Sequence, residues 1–158
     1  MMTGLIVVFA VLAVASAFGL WRRRVDGRVR EVSGNAARTE GAGARAGRFL
    51  TPQQLGGELG SQATLVQFSS AFCQPCRATR VVLADVAGQA EGVEHLEIDA
   101  ESHLDLVREL GILRTPTTLI LDGAGRVAAR ASGVPRKQQV LAAISGVGSV
   151  GSVDSAVA

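Results

Sequence analysis

The chain has little cysteine and keeps it in one place. Cys73 and Cys76 are the only two in 158 residues. Two thiolates make half of a tetrahedral zinc site, and His95 and His103 do not stand at ligand spacing from the pair. A metal would therefore need a second copy of the chain. Basic excess is missing from the larger part of the molecule. Residues 48–158 carry nine Lys and Arg against eleven Asp and Glu, which argues against a nucleic-acid binder. Internal repeats are absent. Charge is missing from Thr3 to Leu20, and no side-chain charge precedes that stretch.

Eighteen uncharged residues, TGLIVVFAVLAVASAFGL, just span a hydrocarbon core. Trp21 follows and suits the headgroup interface. Ala15-Ser16-Ala17 resembles a signal-peptide cleavage site, but a signal peptide carries its positive charge in front of the apolar run. Here Arg22, Arg23, Arg24, Arg28 and Arg30 come after it. Residues 1–21 are therefore expected to be an uncleaved, single-pass membrane anchor. Arginines close to a span stay cytoplasmic as a rule, so the rest of the chain is expected on the cytoplasmic side of the cell membrane. Arg22–Arg24 would also attract anionic lipid. Residues 22–47, rich in Gly, Ala and Arg, read as a basic flexible linker. Residues 146–158 lack charge until Asp154 and lack periodicity, and read as a disordered tail.

Residues 48–145 alternate strand and helix patterns. Phe49-Leu50 reads as a short strand. Thr51-Pro52 reads as an N-cap with proline at the first helical position, opening a helix to about Leu59. TLVQF (64–68) suits a buried strand. Helical spacing runs from Cys73 to about Ala87 through Val81, Val82, Leu83 and Val86. VEHLEI (93–98) alternates like a strand. Ser102–Leu110 is amphipathic, with Gly111 as its stop. TTLIL (117–121), the turn Asp122-Gly123-Ala124-Gly125 and Val127–Ala131 read as a hairpin. Pro135 opens a last helix to about Ile144. The β-α-β crossovers imply parallel strands with helices on both faces, and the hairpin adds an antiparallel edge.

Cys73 falls where a strand meets a helix. A thiolate there faces unpaired backbone N–H groups and the positive end of the helix dipole. Both favour S⁻, so its pKa is expected below the free value of about 8.5. Cys76, one turn on, is expected to be more buried. Cys73 then attacks a substrate disulfide and Cys76 resolves the mixed disulfide. Pro75 is tolerated in the first turn, where its missing N–H costs little.

The segments LVQFSSAFCQPCR (65–77) and LGILRTPTTLILDGAGRV (110–127), with Gly133, resemble the thioredoxin superfamily across about residues 48–145. The resemblance implies an α/β thioredoxin fold, a central mixed sheet flanked by helices, here preceded by one transmembrane helix. It implies a dithiol active site with Phe72, Gln74 and Pro75 in its loop. It implies a cis Thr115-Pro116 bond whose loop pairs with a substrate peptide, Thr115 being the contact. Protein disulfides would be the substrates, an upstream electron donor the other partner, and no cofactor or metal is called for. Thioredoxin's buried aspartate is Gln67 here, its two active-site tryptophans are Ser69 and Phe72, and its strand lysine is His95. Gln67 cannot exchange a proton, so Gln67 and His95 are the relay positions to examine. His103 reads as a helix-surface residue.

The function so implied is a membrane-tethered thiol–disulfide oxidoreductase that reduces protein disulfides. The sixteen residues between Cys76 and Val93 leave no room for the insertion typical of oxidoreductases serving cytochrome c maturation, although PTTLILDGAGRV resembles their C-terminal half. An extracytoplasmic oxidoreductase of that type is one alternative. Another is a non-catalytic redox-sensing or metal-binding module.

Overall fold

A computed structural model describes residues 2–25, 29–31 and 48–150. The elements are α1 (Met2–Val25), β1 (Val29–Glu31), α2 (Pro52–Leu55), β2 (Ala63–Ser69), α3 (Gln74–Ala87), β3 (Val93–Asp99), α4 (Leu104–Leu110), β4 (Thr117–Asp122), β5 (Val127–Ser132) and α5 (Lys137–Val150). The sheet order is β1-β5-β4-β2-β3. β4 is the middle strand; β2 lies between it and the edge strand β3, parallel to β3 and antiparallel to β4.

The expected run of parallel strands therefore holds only for β2 and β3, and the expected mixed sheet is present. The reason lies in α4. Seven residues of helix extend about 10 Å, while β3 extends about 23 Å. The connection through α4 does not carry the chain back along the sheet. β4 starts at the end where β3 stops and runs the other way.

Alternation along the strands makes two cores. Val66, Phe68, Ile98, Leu119 and Leu121 face α2 and α4 and pack with Leu50, Leu55, Leu106 and Leu110. Ala63, Leu65, Val93, Ile120 and Ala129 face α3 and α5 and pack with Leu83, Val86, Val140 and Ile144. Thr51 caps α2 as expected: its side chain accepts from Gln54 N–H, and Gln54 Oε1 accepts from Thr51 N–H at 3.0 Å. The helix stops at Leu55 rather than Leu59. Gly56 takes a left-handed φ of 69°, cheap only without a Cβ, and turns the chain away.

Four expectations need correction. Phe49 makes only an isolated bridge to Arg126. A strand instead lies inside the stretch read as linker, where β1 pairs antiparallel with β5 and Val29 packs against the second core. α1 also runs into that stretch, to Val25; residues 26–28 and 32–47 lie outside the described residues. In the stretch read as tail, α5 continues to Val150. Val140, Ala143, Ile144 and Val147 are buried at helical spacing, and that packing outweighs the glycines that break the sequence pattern. Residues 151–158 lie outside the described residues. Val81, one of the residues that gave α3 its helical spacing, is 69% exposed, and Cys76, Thr79, Leu83 and Val86 form the buried face.

In α1 the side chains described are those of residues 6–21, and they are exposed. Among the described residues no helix is long and apolar enough to cross a membrane.

Candidate active site

The site gathers at one end of the sheet, where β2 ends and β4 begins. After Ser69 the chain leaves the sheet, and Cys73 N–H donates to the Ser70 carbonyl at 3.3 Å. Cys73 is the N-cap of α3, with extended backbone. The Cys76 N–H points back at it, 3.2 Å from Cys73 Sγ. The two sulfurs form a disulfide, S–S 2.03 Å, with Cα atoms 5.2 Å apart. Cys73 is half-buried, whereas Cys76 is 2% exposed. Pro75 sits in the first turn of α3, as expected. The arrangement offers one sulfur to a partner molecule and keeps the other covered.

Two further loops close on this end. The Thr115-Pro116 bond is cis, as the resemblance implied. Thr115 Oγ1 lies 3.0 Å from Ser70 Oγ, which ties the proline loop to the cysteine loop. Gly133 N–H donates to the Pro116 carbonyl at 2.8 Å and fixes the loop after β5. Its φ of 87° is a conformation that favours glycine. Phe72, Gln74 and Pro75 are exposed around the disulfide, Phe72 fully.

Beneath Cys76 the sheet turns polar. Gln67 is completely buried. Its amide donates to the Cys76 carbonyl at 3.0 Å and to Ser69 Oγ at 2.7 Å, and lies 3.4 Å from Glu97 Oε1. Glu97 is the cross-strand partner of Gln67. It is gripped from α3 by Arg80, whose Nε is 2.6 Å and Nη2 2.7 Å from its two oxygens. That guanidinium holds the Glu97 carboxyl below its ordinary range, with the Ser69 hydroxyl helping and burial opposing. Thr118 stands opposite Gln67 on β4. Gln67 Oε1 and Thr118 Oγ1 are buried and have no hydrogen-bond partner among the described residues.

The two relay candidates thus part company. Gln67 touches the backbone of the active-site helix. His95 stands two residues before Glu97 on β3, and its buried Nε2 has no hydrogen-bond partner among the described residues. Burial lowers its pKa, against a smaller opposing pull from Glu97. His103 is the N-cap position of α4 and makes no capping bond, its Nδ1 lying 3.0 Å from the Asp99 carbonyl oxygen. Sequence reasoning missed Ser70, Arg80, Glu97 and Thr118. The available signal was period-two alternation, which puts Glu97 on the same face as His95. Pairing Glu97 with Gln67 needed the register. Among the described residues no group of three His, Cys, Asp or Glu is placed to hold a metal.

A disulfide-forming pair at a helix N-terminus, roofed by a cis-proline loop at the end of a mixed sheet, defines a thiol–disulfide oxidoreductase. The thioredoxin family model matches residues 50–146, and the chain belongs to the thioredoxin family. Over 89 residues it is 29% identical to a thioredoxin of Alicyclobacillus acidocaldarius subsp. acidocaldarius, covering 56% of this chain and 84% of that protein. Over 60 residues it is 37% identical to human Thioredoxin domain-containing protein 2, covering 38% of this chain. The match spans only 11% of the human protein's length. Among solved structures, chloroplastic thioredoxin z superposes with a TM-score of 0.51 at 26% identity, over 56% of this chain and 80% of that one. A mutant thioredoxin from Halobacterium salinarum NRC-1 gives 0.50 at 20% identity, over 55% and 75%, a likeness of fold.

Proposed function

We propose that this chain is a membrane-tethered reductant of protein disulfides, with Cys73 as nucleophile and Cys76 as resolving thiol. The observation that carries the division of roles is the asymmetry of the pair. Cys73 is half-buried and its Sγ receives the Cys76 N–H at the helix N-terminus, while Cys76 is covered. In the reduced chain the Cys73 thiolate attacks one sulfur of a substrate disulfide. A Cys73–substrate disulfide forms and the other substrate sulfur leaves as thiolate. Cys76, deprotonated, then attacks Cys73 Sγ. The 73–76 disulfide forms and the second substrate thiolate leaves. Two electrons pass to the substrate, and a dithiol donor restores them. The backbone at Thr115, beside cis Pro116, is where a substrate strand pairs. The route by which the Cys76 proton leaves does not include a side-chain acid at position 67.

Support for the tether is the charge-free sequence 3–20 within a helix of 24 residues. At about 1.5 Å per residue the eighteen uncharged residues make about 27 Å of helix, close to the thickness of a hydrocarbon core. The arginines that follow argue for a cytoplasmic domain, where a reductase has donors at hand. Insulin reduction by residues 26–158, which keep β1, tests the chemistry. Activity lost in Cys73→Ser and mixed disulfides trapped by Cys76→Ser are the expected results, and undiminished activity in Cys73→Ser sinks the assignment. A membrane-impermeant thiol reagent applied to intact cells tests the side. Rapid labelling of Cys73 would place the domain outside.

A further inference from the structure

The register of β1 fixes which end of the domain meets the anchor. β2, β4 and β5 bring Ser69, Thr117 and Ser132 to the active-site end of the sheet. β1 is antiparallel to β5, with Val29 opposite Ala131 and Glu31 opposite Ala129. The chain therefore enters β1 at the active-site end and runs away from it. Only residues 26–28 separate Val29 from Val25, the last residue of α1. Four extended steps reach at most about 14 Å. The far end of the sheet, at the Asp122–Gly125 turn, lies about 20 Å further off along β4.

The rim chemistry agrees with that placement. The three active-site loops, 70–73, 113–116 and 133–136, contain no acid and two arginines, Arg114 and Arg136. They also carry apolar side chains open to solvent: Phe72 at 100% exposure, Leu113 at 94% and Val134 at 38%. Asp99 stands opposite Ser69 at this same end, with Glu101 just beyond it, but on the edge strand farthest from β1. Exposed apolar residues among arginines on the three loops match an anionic lipid surface.

We propose that the dithiol faces the membrane to which the chain is anchored, and that its substrates are disulfides carried at that surface by membrane-embedded proteins. This rests on the tethering proposed above. β1 is then no part of a loose leash but an edge strand that holds the active-site end inward.

The test uses the full chain in vesicles of neutral and anionic phospholipid with brominated acyl chains, in a Trp21→Phe background. Leu113→Trp and Ala124→Trp place a reporter at each end of the sheet. Strong quenching at 113 and little at 124 is expected. Equal quenching, or quenching at 124 alone, in protein that floats with the vesicles overturns the orientation and leaves the anchor standing. Protein that does not float overturns both. A Gly/Ser insert of about twelve residues between Asp26 and Gly27 supplies the functional arm. The substrates are insulin and a transmembrane peptide with a disulfide at headgroup level. Lengthening the reach about fourfold should cut turnover of the anchored peptide about eightfold, from the −3/2 power of length, and leave insulin turnover unchanged. Equal rates on both substrates before and after insertion overturn the substrate class.

Discussion

The two faces of the central sheet are built from the same strands and do different work. On the α2/α4 face, Val66, Phe68, Ile98, Leu119 and Leu121 form a continuous apolar layer. On the α3/α5 face, apolar packing at Leu65 and Ile120 gives way toward the cysteines to Gln67, Ser69, Glu97 and Thr118. A buried polar row costs stability unless it is bonded. Here its donors go to the Cys76 carbonyl, to Ser69 and toward a carboxylate held by Arg80. One face holds the domain together, and the other sets the environment of the resolving cysteine.

Substitutions should separate these roles. The largest effect on turnover belongs to Cys73→Ser, which abolishes insulin reduction while far-UV circular dichroism stays that of the folded domain. The largest effect on stability belongs to the apolar face. Phe68→Ala should cost about 3–5 kcal/mol in urea unfolding, with the rate per folded molecule little changed. If that rate falls with stability, the two faces are not separable.

Gln67→Leu removes the donor to the Cys76 carbonyl and should cost about 1–3 kcal/mol. Unlike Phe68→Ala, it should also slow release of a Cys73 mixed disulfide, followed by quench and gel. Gln67→Asp sharpens the contrast. It places a titratable group under Cys76 whose burial raises its pKa. The pH–rate profile should then acquire a second acid limb, beside the one that protonation of the Cys73 thiolate gives the natural chain. An unchanged profile would separate position 67 from proton transfer.

Smaller effects concern pH and stability. Glu97 is held below its ordinary pKa in the folded chain. Its contribution is present above the unfolded value, near 4.5, and is lost as pH falls through the lower folded value. Glu97→Gln should flatten that acid-side loss. It should cost only about 0.2–1 kcal/mol at pH 7, because Arg80 is largely solvent-exposed. His95 has the opposite consequence. Its folded pKa lies below 6.5, so the unfolded chain binds the extra proton and stability rises as pH climbs toward 6.5. His95→Leu should remove that slope, as read from urea midpoints at a series of pH values.

Much of the site was legible in the residues because its chemistry is local. Cys73 and Cys76 are one helical turn apart, and a strand running into a helix is a pattern in apolar spacing. Thr51 and Gln54 cap a helix within four residues, and Gly111 ends one. The cis bond before Pro116 was implied by family resemblance, since nothing in the local sequence distinguishes it from a trans proline. α5 outran its pattern because Val147 is buried by partners distant in sequence, and no local signal reports them.

From its sequence alone this chain determined its active dithiol, the order of its main strands and helices, and a charge-free N-terminal stretch followed by arginines. These depend on residues within one turn or one strand of each other. Only the tertiary structure decided that Gln67 meets Glu97, that Arg80 reaches down from α3 to hold it, and that three residues of the linker close the β5 edge from the active-site end. Each is a matter of strand register and direction. A period-two pattern says which face a residue takes, but its partner on the next strand is set by how the whole sheet packs.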